Sequence, residues 1–72
     1  MTGIEALDWI IAKHGTGYAA AEVMGTQASV VSNWRGPRGI SPSGYILIWM
    51  EANRLGARLP KDFLLQGVKR TA

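Results

Sequence analysis

The sequence predicts an all-α protein, a compact bundle of four to five short helices. Apolar residues recur at the spacing of a helix face in each of the longer segments. Each of these segments ends at a glycine or at a turn that contains proline. The composition is that of a globular chain, because 47% of the 72 residues are hydrophobic and 18% are charged. A chain of this length forms one domain with a modest core, so we expect a partner or another source of stability.

The first predicted helix spans Gly3–His14. Thr2 and Glu5 form a capping box, in which each side chain accepts a hydrogen bond from a backbone amide that the helix leaves free. Gly15 is expected to end the helix in a left-handed conformation. The stripe at helical spacing that is expected to face the core consists of Ile4, Leu7, Ile10, Ile11 and His14. Trp9 lies nearly opposite this stripe, where it is either half exposed or packed on the C-terminal tail or on a second subunit.

Two short helices joined by a tight turn at Gly25 are predicted next. Thr16 can cap the first of them, Gly17–Met24, whose small alanine side chains allow a neighbouring helix to approach closely. The second begins at Thr26 or Gln27 and runs to about residue 35.

The two sides of this third helix differ in their chemistry. Val31 and Trp34, three residues apart, share an apolar face. The remainder of the helix is formed by Ala28, Ser29, Ser32 and Asn33. A surface helix ordinarily carries Lys and Glu on its exposed side, whereas this side is short, uncharged and rich in hydrogen-bonding groups.

A fourth helix is predicted over residues 42–55, with Ser41 as its cap, Pro42 in its first turn and Gly56 at its end. One apolar stripe is formed by Tyr45, Ile48, Trp49, Ala52 and Leu55. A second stripe is formed by Ile46, Leu47 and Met50. One side can face the core, and the other needs the C-terminal tail or a second copy of the protein. Residues 45–50 are also rich in strand-forming types, but the helical spacing continues to Gly56 and favours a helix.

The pattern divides the chain into a helical domain, residues 1–56, and a C-terminal extension, residues 57–72, which is expected to pack on that domain or on a dimer partner. Pro60 can open a short helix over residues 61–66 that ends at Gly67. The side chains that are too apolar for a solvated tail, and so are expected to dock, are Phe63, Leu64 and Leu65. The residues beyond Gly67 are expected to fray.

Several classes of function have no support in the sequence. The chain has no cysteine and one histidine, so we expect no disulfide, no metal site and no cofactor. It contains neither a nucleophile-and-base set nor a phosphate-binding loop, so an enzyme with a small-molecule substrate is not expected. The longest apolar run is six residues, far below the roughly 20 that cross a membrane, and no signal peptide is evident. The formal charge of +3 and the pI of 9.8 are compatible with a polyanionic partner.

The spacing around Gly25 matches that of a helix-turn-helix. Ala21 lies four residues before this glycine, where the motif needs a small residue. Val31 and Trp34 lie six and nine residues after it, where the motif needs apolar residues, and the segment VVSNWRG also contains Ser and Asn between them. Over residues 17–36 the chain resembles the small phage repressor and Cro-like (lambda-repressor/Cro-like) family of helix-turn-helix regulators, and the resemblance is weaker over the fourth helix.

The resemblance implies a bundle of four or five helices that binds double-stranded DNA as a homodimer. It further implies that the protein regulates transcription in a phage or prophage, and therefore acts in the cytoplasm of a bacterial host, at the nucleoid. The expected dimer surface combines the second apolar side of the fourth helix, Trp9 and residues 63–65.

In such a complex the third helix enters the major groove, which is wide enough for one helix. The side chains expected to face the bases or the adjacent backbone are Gln27, Ala28, Ser29, Ser32 and Asn33. Those expected to contact phosphate are Thr16, Tyr18, Arg35 and Arg38. Many relatives carry Gln at the positions of Gly17 and Ala28. At position 17, Thr16, Tyr18 or backbone amides take the place of the Gln side chain. At position 28, an apolar contact with a thymine methyl takes its place.

Two other functions fit the same fold. A helix-turn-helix scaffold can serve as a protein-interaction module, such as an antirepressor or an antitoxin. An excisionase-like architectural protein would bind and bend DNA without a tight palindrome. Binding to random duplex DNA that weakens steeply with salt separates the DNA binders from the interaction module.

Overall fold

The computed structural model describes residues 1–69, and their side chains as far as Gly67. Its helices are α1, Gly3–His14; α2, Gly17–Met24; α3, Ala28–Trp34; and α4, Pro42–Arg54. A 3₁₀ turn, Lys61–Leu64, leads into α5, Leu65–Lys69. Residues 1–69 contain no β-strand, so the predicted all-α bundle of four to five helices is confirmed. Residues 45–50 are helical, as their spacing predicts.

Three helices begin at the caps that the sequence predicts. Thr2 Oγ1 accepts a hydrogen bond from the Glu5 amide at 3.2 Å, and Glu5 Oε1 accepts one from the Thr2 amide at 2.7 Å, which completes the capping box. Thr16 Oγ1 and Ser41 Oγ each accept a hydrogen bond from the amide three residues later, at 3.0 Å and 3.1 Å. These bonds satisfy amides that the first turn of a helix leaves without a backbone partner.

The buried face of α1 differs from the predicted stripe. The residues that α1 buries are Gly3, Ala6, Leu7 and Ile10. Ile4 is exposed and Ile11 is half-buried, so the prediction that Ile4 faces the core is wrong. The cause is a close approach to α4: a β-carbon added to Gly3 would lie 2.5 Å from Tyr45 Cε1. A residue with a side chain does not fit at this contact, so α1 turns Gly3 inward and the adjacent Ile4 outward.

Helix α4 contacts the end of α3 at Gly44. A β-carbon added to Gly44 would lie 2.8 Å from Cε2 and Cζ2 of Trp34 and 2.9 Å from Ile40 Cγ2. Trp34 and Ile40 are both buried. The indole therefore fills the space that any larger side chain at position 44 would need, and the contact holds the C-terminal end of α3 against α4.

Residues 57–67 pack against α1 and α4, and the apolar side chains of this segment other than Leu65 join the same core. The buried Phe63 ring meets Tyr45 edge-on, with ring centroids 5.6 Å apart. Trp49 Nε1 donates a hydrogen bond to the Leu59 carbonyl at 2.9 Å. These contacts cover the stripe of α4 that carries Tyr45 and Trp49.

Gln66 connects this segment to the start of the chain. Its Oε1 accepts a hydrogen bond from the Gly3 amide at 3.1 Å, and its Nε2 donates one to the Met1 carbonyl at 3.1 Å. The Gly3 amide is one of those that the first turn of α1 leaves free. The C-terminal segment therefore completes the N-terminal end of α1.

The end of the chain departs from three expectations. Gly67 lies inside α5 and is buried, and a β-carbon on it would lie 2.8 Å from Tyr45 Cδ2, so it serves a close approach and does not end the helix. Leu65 is 49% exposed and does not dock, unlike Phe63. The backbone of residues 68 and 69 continues α5 where the sequence predicts fraying, and residues 70–72 of that predicted tail lie outside the described residues.

Glu51 joins α1 to α4 through a polar network. The residue is 5% exposed, and its Oε2 lies 2.7 Å from His14 Nε2. Arg54 Nε and Nη2 donate to its two oxygens at 2.8 Å and 2.6 Å. The hydrogen bonds from Arg54, and to a smaller extent the contact with His14, hold the pKa of Glu51 below its ordinary value, although burial acts in the opposite direction.

Gly44→Ala is expected to destabilise the fold, because the added β-carbon collides with Trp34. The free energy of unfolding should fall by about 1–3 kcal/mol, the range for overpacked cores. Gly17→Ala is the matched control, since the nearest atom to its β-carbon would be Ile11 Cδ1 at 4.0 Å. The control should leave stability unchanged or raise it by up to about 1 kcal/mol. Urea unfolding followed by circular dichroism measures both, and equal midpoints would contradict the tight contact at position 44.

Glu51→Gln is expected to cost about 1–3 kcal/mol of unfolding free energy at neutral pH and less in acid. A carboxylate whose pKa is lowered by folding stabilises the protein above its unfolded pKa, and this stabilisation is lost as the pH falls through the lower folded pKa. The difference between the wild type and this variant should therefore shrink below about pH 5. Glu22→Gln removes an exposed carboxylate and is the control. Unfolding curves at neutral and at acid pH measure the free energy of unfolding of the wild type and of each variant. If the difference between the wild type and Glu51→Gln does not change with pH, the network of Glu51 is not its source.

Candidate nucleic-acid interface

Helices α2 and α3 are joined by residues 25–27, which form a tight turn. Gly25 is left-handed, with φ 78° and ψ 26°, a conformation that favours glycine. The Gly25 amide donates to the Glu22 carbonyl at 3.1 Å, and the Thr26 amide donates to the Ala21 carbonyl at 2.9 Å. These hydrogen bonds use carbonyls that the last turn of α2 leaves free, so the backbone itself ends α2 and redirects the chain.

The packing of α2 and α3 determines which side of α3 faces solvent. Helix α2 buries Ala20, Ala21 and Met24, and α3 buries Val31 and Trp34. The alanines leave room for α3 to lie close to α2. Because the two buried residues of α3 are three apart and share one side, the other side of this short helix points away from the core.

The outward side of α3 carries unpaired polar groups. Gln27, Ser29, Ser32 and Asn33 are exposed, and Ala28 is half-buried. Gln27 precedes α3 at the cap position, yet its side chain makes no capping hydrogen bond. Within residues 1–69, none of the four polar side chains hydrogen-bonds to another group of the protein. Their donors and acceptors are therefore available to a ligand.

A shallow groove at the N-terminal end of α3 is lined by residues predicted to contact bases and by one residue predicted to contact phosphate. Tyr18, Gln27 and Ala28 line this groove with Thr26 and Glu22. Tyr18 is among the most exposed large side chains of the described chain. Glu22 is an acid that the sequence does not single out, and it gives this end of the groove a negative charge.

Thr16 lies at the start of α2 and is exposed. Its Oγ1 accepts the capping hydrogen bond from the Ala19 amide at 3.0 Å. A hydroxyl that accepts this bond still has its own hydrogen to donate. The cap therefore leaves Thr16 able to donate to an anion at this end of α2.

A second groove lies at the C-terminal end of α3. It is lined by Asn33, Arg38 and Ser41 and by Gly36, Pro37 and Gly39 of the loop between α3 and α4. Arg38 is exposed, and among the described residues no acid pairs with it. Asn33 is predicted to contact a base and Arg38 to contact phosphate, and the two residues line the same groove at this end.

Arg35 is occupied by an intramolecular partner. It is the residue that follows α3, and its Nη2 donates to Oδ1 of Asp8 on α1. Both side chains remain about half exposed, at 45% for Arg35 and 53% for Asp8. The sequence does not indicate this pair, because the two residues are 27 positions apart and nothing in the local pattern of α1 marks Asp8.

Two further features concern the buried polar groups and possible metal ligands of the described chain. Among the described residues, every buried side-chain nitrogen or oxygen has a hydrogen-bond partner, and no three His, Cys, Asp or Glu residues are grouped as metal ligands. No helix in residues 1–69 is long and apolar enough to cross a membrane.

The chain matches no protein-family model, no curated protein and no solved structure.

Proposed function

We propose that the protein is a sequence-specific regulator of transcription that binds double-stranded DNA, of the phage repressor or Cro type. In this proposal α2, the turn at Gly25 and α3 form a helix-turn-helix, and α3 is the recognition helix. One observation carries the proposal. The outward side of α3 presents exposed hydroxyl and amide groups with no partner in the described chain, while Val31 and Trp34 fix the opposite side in the core.

The dimensions and chemistry of α3 suit the major groove. A helix with its side chains is about 10–12 Å across, and the groove of B-DNA is about 12 Å wide. The amides of Gln27 and Asn33 can each donate to and accept from the edge of an adenine. Ala28 offers a methyl group to a thymine methyl, and Ser29 and Ser32 can contact either a base or the adjacent backbone.

The residues flanking α3 suit phosphate contacts. Arg38 follows α3 at one end, and Tyr18 lies at the other end with a free hydroxyl. Thr16 and the free amides of the first turn of α2 add neutral donors near Tyr18. Arg35, the residue that follows α3, has the same role. Contacts of this kind position the protein on DNA, whereas the contacts of α3 with bases select the sequence.

One copy of the protein offers few contacts, so we propose a homodimer on a roughly palindromic operator. Two recognition helices about 34 Å apart would enter successive major grooves on one face of the duplex. Three of the exposed apolar side chains of the described chain lie on α4 and α2: Ile46 and Met50 on α4, 48% and 58% exposed, and Val23 on α2, 48% exposed. Val23 and Met50 line the same groove, and residues 57–67 do not cover them.

The expected dimer surface loses one of its residues. Phe63 is buried in the core of its own chain, so it cannot contact a second copy. Trp9 is half-buried, with Lys13 Nζ 5.1 Å from the centre of its ring. The second apolar side of α4 and Leu65, which is 49% exposed, are the parts of the expected surface that remain open to a partner.

The open apolar surface also favours a runner-up function. An interaction module such as an antirepressor or antitoxin would use the groove of Val23 and Met50 to bind another protein. It would not need the polar side of α3. Titration with random duplex DNA separates the two functions, because only a DNA binder loses affinity steeply as salt rises.

The division between base and phosphate contacts is tested with two variants. Arg38→Gln should weaken binding to every duplex and reduce the slope of log affinity against log salt by about one. Asn33→Ala should leave that slope unchanged and cost about 1–3 kcal/mol of discrimination at the base it contacts. Selection from random duplexes followed by fluorescence anisotropy measures both effects. If neither substitution alters binding, α3 does not enter the groove.

The dimer is tested by placing a charge on its proposed surface. Met50→Glu should give a monomer and lose the preference for a palindrome, because each subunit would have to bury an unpaired carboxylate in the interface. Leu65→Glu tests the other exposed part of the expected dimer surface, since Leu65 is similarly exposed at 49% but lies on α5. Sedimentation velocity at several concentrations gives the oligomeric state, and circular dichroism verifies folding. A monomeric Leu65→Glu variant with a dimeric Met50→Glu variant would instead place the interface on the C-terminal segment.

A further inference from the structure

The pair between Asp8 and Arg35 connects α1 to the candidate interface. Arg35 Nη2 donates to Asp8 Oδ1, and this is the hydrogen bond that the structure gives each of the two side chains. Both side chains are about half exposed, so solvent and a ligand can reach them. The pair therefore lies at the surface, at the end of α3 where a DNA backbone would pass.

A carboxylate and a phosphate use the same donors of a guanidinium group. Arginine presents its N–H groups as a planar fork, which suits either anion, and a donor that is bound to one is withheld from the other. The carboxylate also cancels the formal charge of Arg35. Of the two arginines next to α3, Arg38 then keeps its charge unpaired, and Arg35 does not.

An exposed ion pair of this kind is weak enough to be exchanged. Such pairs are worth between zero and about 1 kcal/mol, and long charged side chains in solvent move readily. Asp8 has no second hydrogen bond in the described chain that would hold it in place. A phosphate oxygen that approaches Arg35 can therefore take the position of Asp8 Oδ1.

We propose that Asp8 competes with DNA for Arg35. The carboxylate occupies the guanidinium in the free protein, and binding exchanges it for a backbone phosphate. Asp8 thereby lowers affinity for any duplex, and it acts on DNA through Arg35 without itself contacting a base. This inference rests on the proposed function, and it adds a competing residue on α1, outside the helix-turn-helix.

The test measures binding of a random-sequence duplex of about 20 base pairs at several salt concentrations. Asp8→Asn should tighten binding about two- to fivefold at low salt, as expected for release of an exposed pair. Because Arg35 contacts a phosphate in both complexes, the salt slope should become steeper by less than about one, through the screening of the Asp8–Arg35 pair in the free wild type. Asp62→Asn is the control matched in charge, because Asp62 is also exposed but lies in the 3₁₀ turn near Met1 and Gln66. It should change affinity by less than the Asp8 variant and leave the slope unaltered.

A double-variant comparison identifies the route of the effect. In an Arg35→Gln background, Asp8→Asn should no longer tighten binding, because the competed group is gone. Equal tightening in both backgrounds would overturn the inference, since it would reflect only the removal of a negative charge near DNA. Weaker binding by Asp8→Asn would also overturn it, since Asp8 would then hold Arg35 in place for phosphate.

Failure of the proposed function has a different signature. If the wild type does not bind the random duplex even at low salt, both the function and this inference are overturned. If the wild type binds, and Arg38→Gln weakens that binding, while Asp8→Asn has no effect, only the competition by Asp8 is excluded.

Discussion

The contact between Trp34 and Gly44 determines how the polar side of α3 is presented. The indole is buried at the end of α3, and the absence of a side chain at Gly44 allows α4 to lie directly against it. Val31, three residues earlier, is buried on the same side. A seven-residue helix is marginal by itself, so its orientation depends on these two anchors and on the left-handed turn at Gly25.

The surface around α3 is polar but only weakly cationic. Arg35 and Arg38 lie at one end of the helix, yet Asp8 neutralises the first of them, and Glu22 lies in the groove at the other end. Between these ends the side chains are neutral. Such a surface attracts a polyanion weakly at long range, because long-range attraction follows net charge. In the proposed complex with DNA, short-range hydrogen bonds from amides and hydroxyls would then contribute a larger share of recognition than in a strongly basic protein.

Local patterns in the sequence were sufficient for most of the helices. The limits of α1 and α2 follow from the caps at Thr2 and Thr16 and from the glycines that come after each helix, because these signals act over one helical turn. The outward set on α3 follows in the same way from its inward pair. The sequence thus predicted the all-α fold and the chemistry of the exposed side of α3.

Contacts between distant residues were decided only in the tertiary structure. The rotation of α1 that exposes Ile4 follows from its close approach to Tyr45, and the place of Gly67 inside α5 follows from the same ring. Likewise, Asp8 meets Arg35 only because the packing of the whole chain brings α1 within side-chain reach of the residue that follows α3. The physical reason is the distance along the chain over which each kind of interaction acts. Caps, turns and helical periodicity depend on neighbours within about one turn, whereas steric fit and ion pairing depend on which surfaces meet when the whole chain packs.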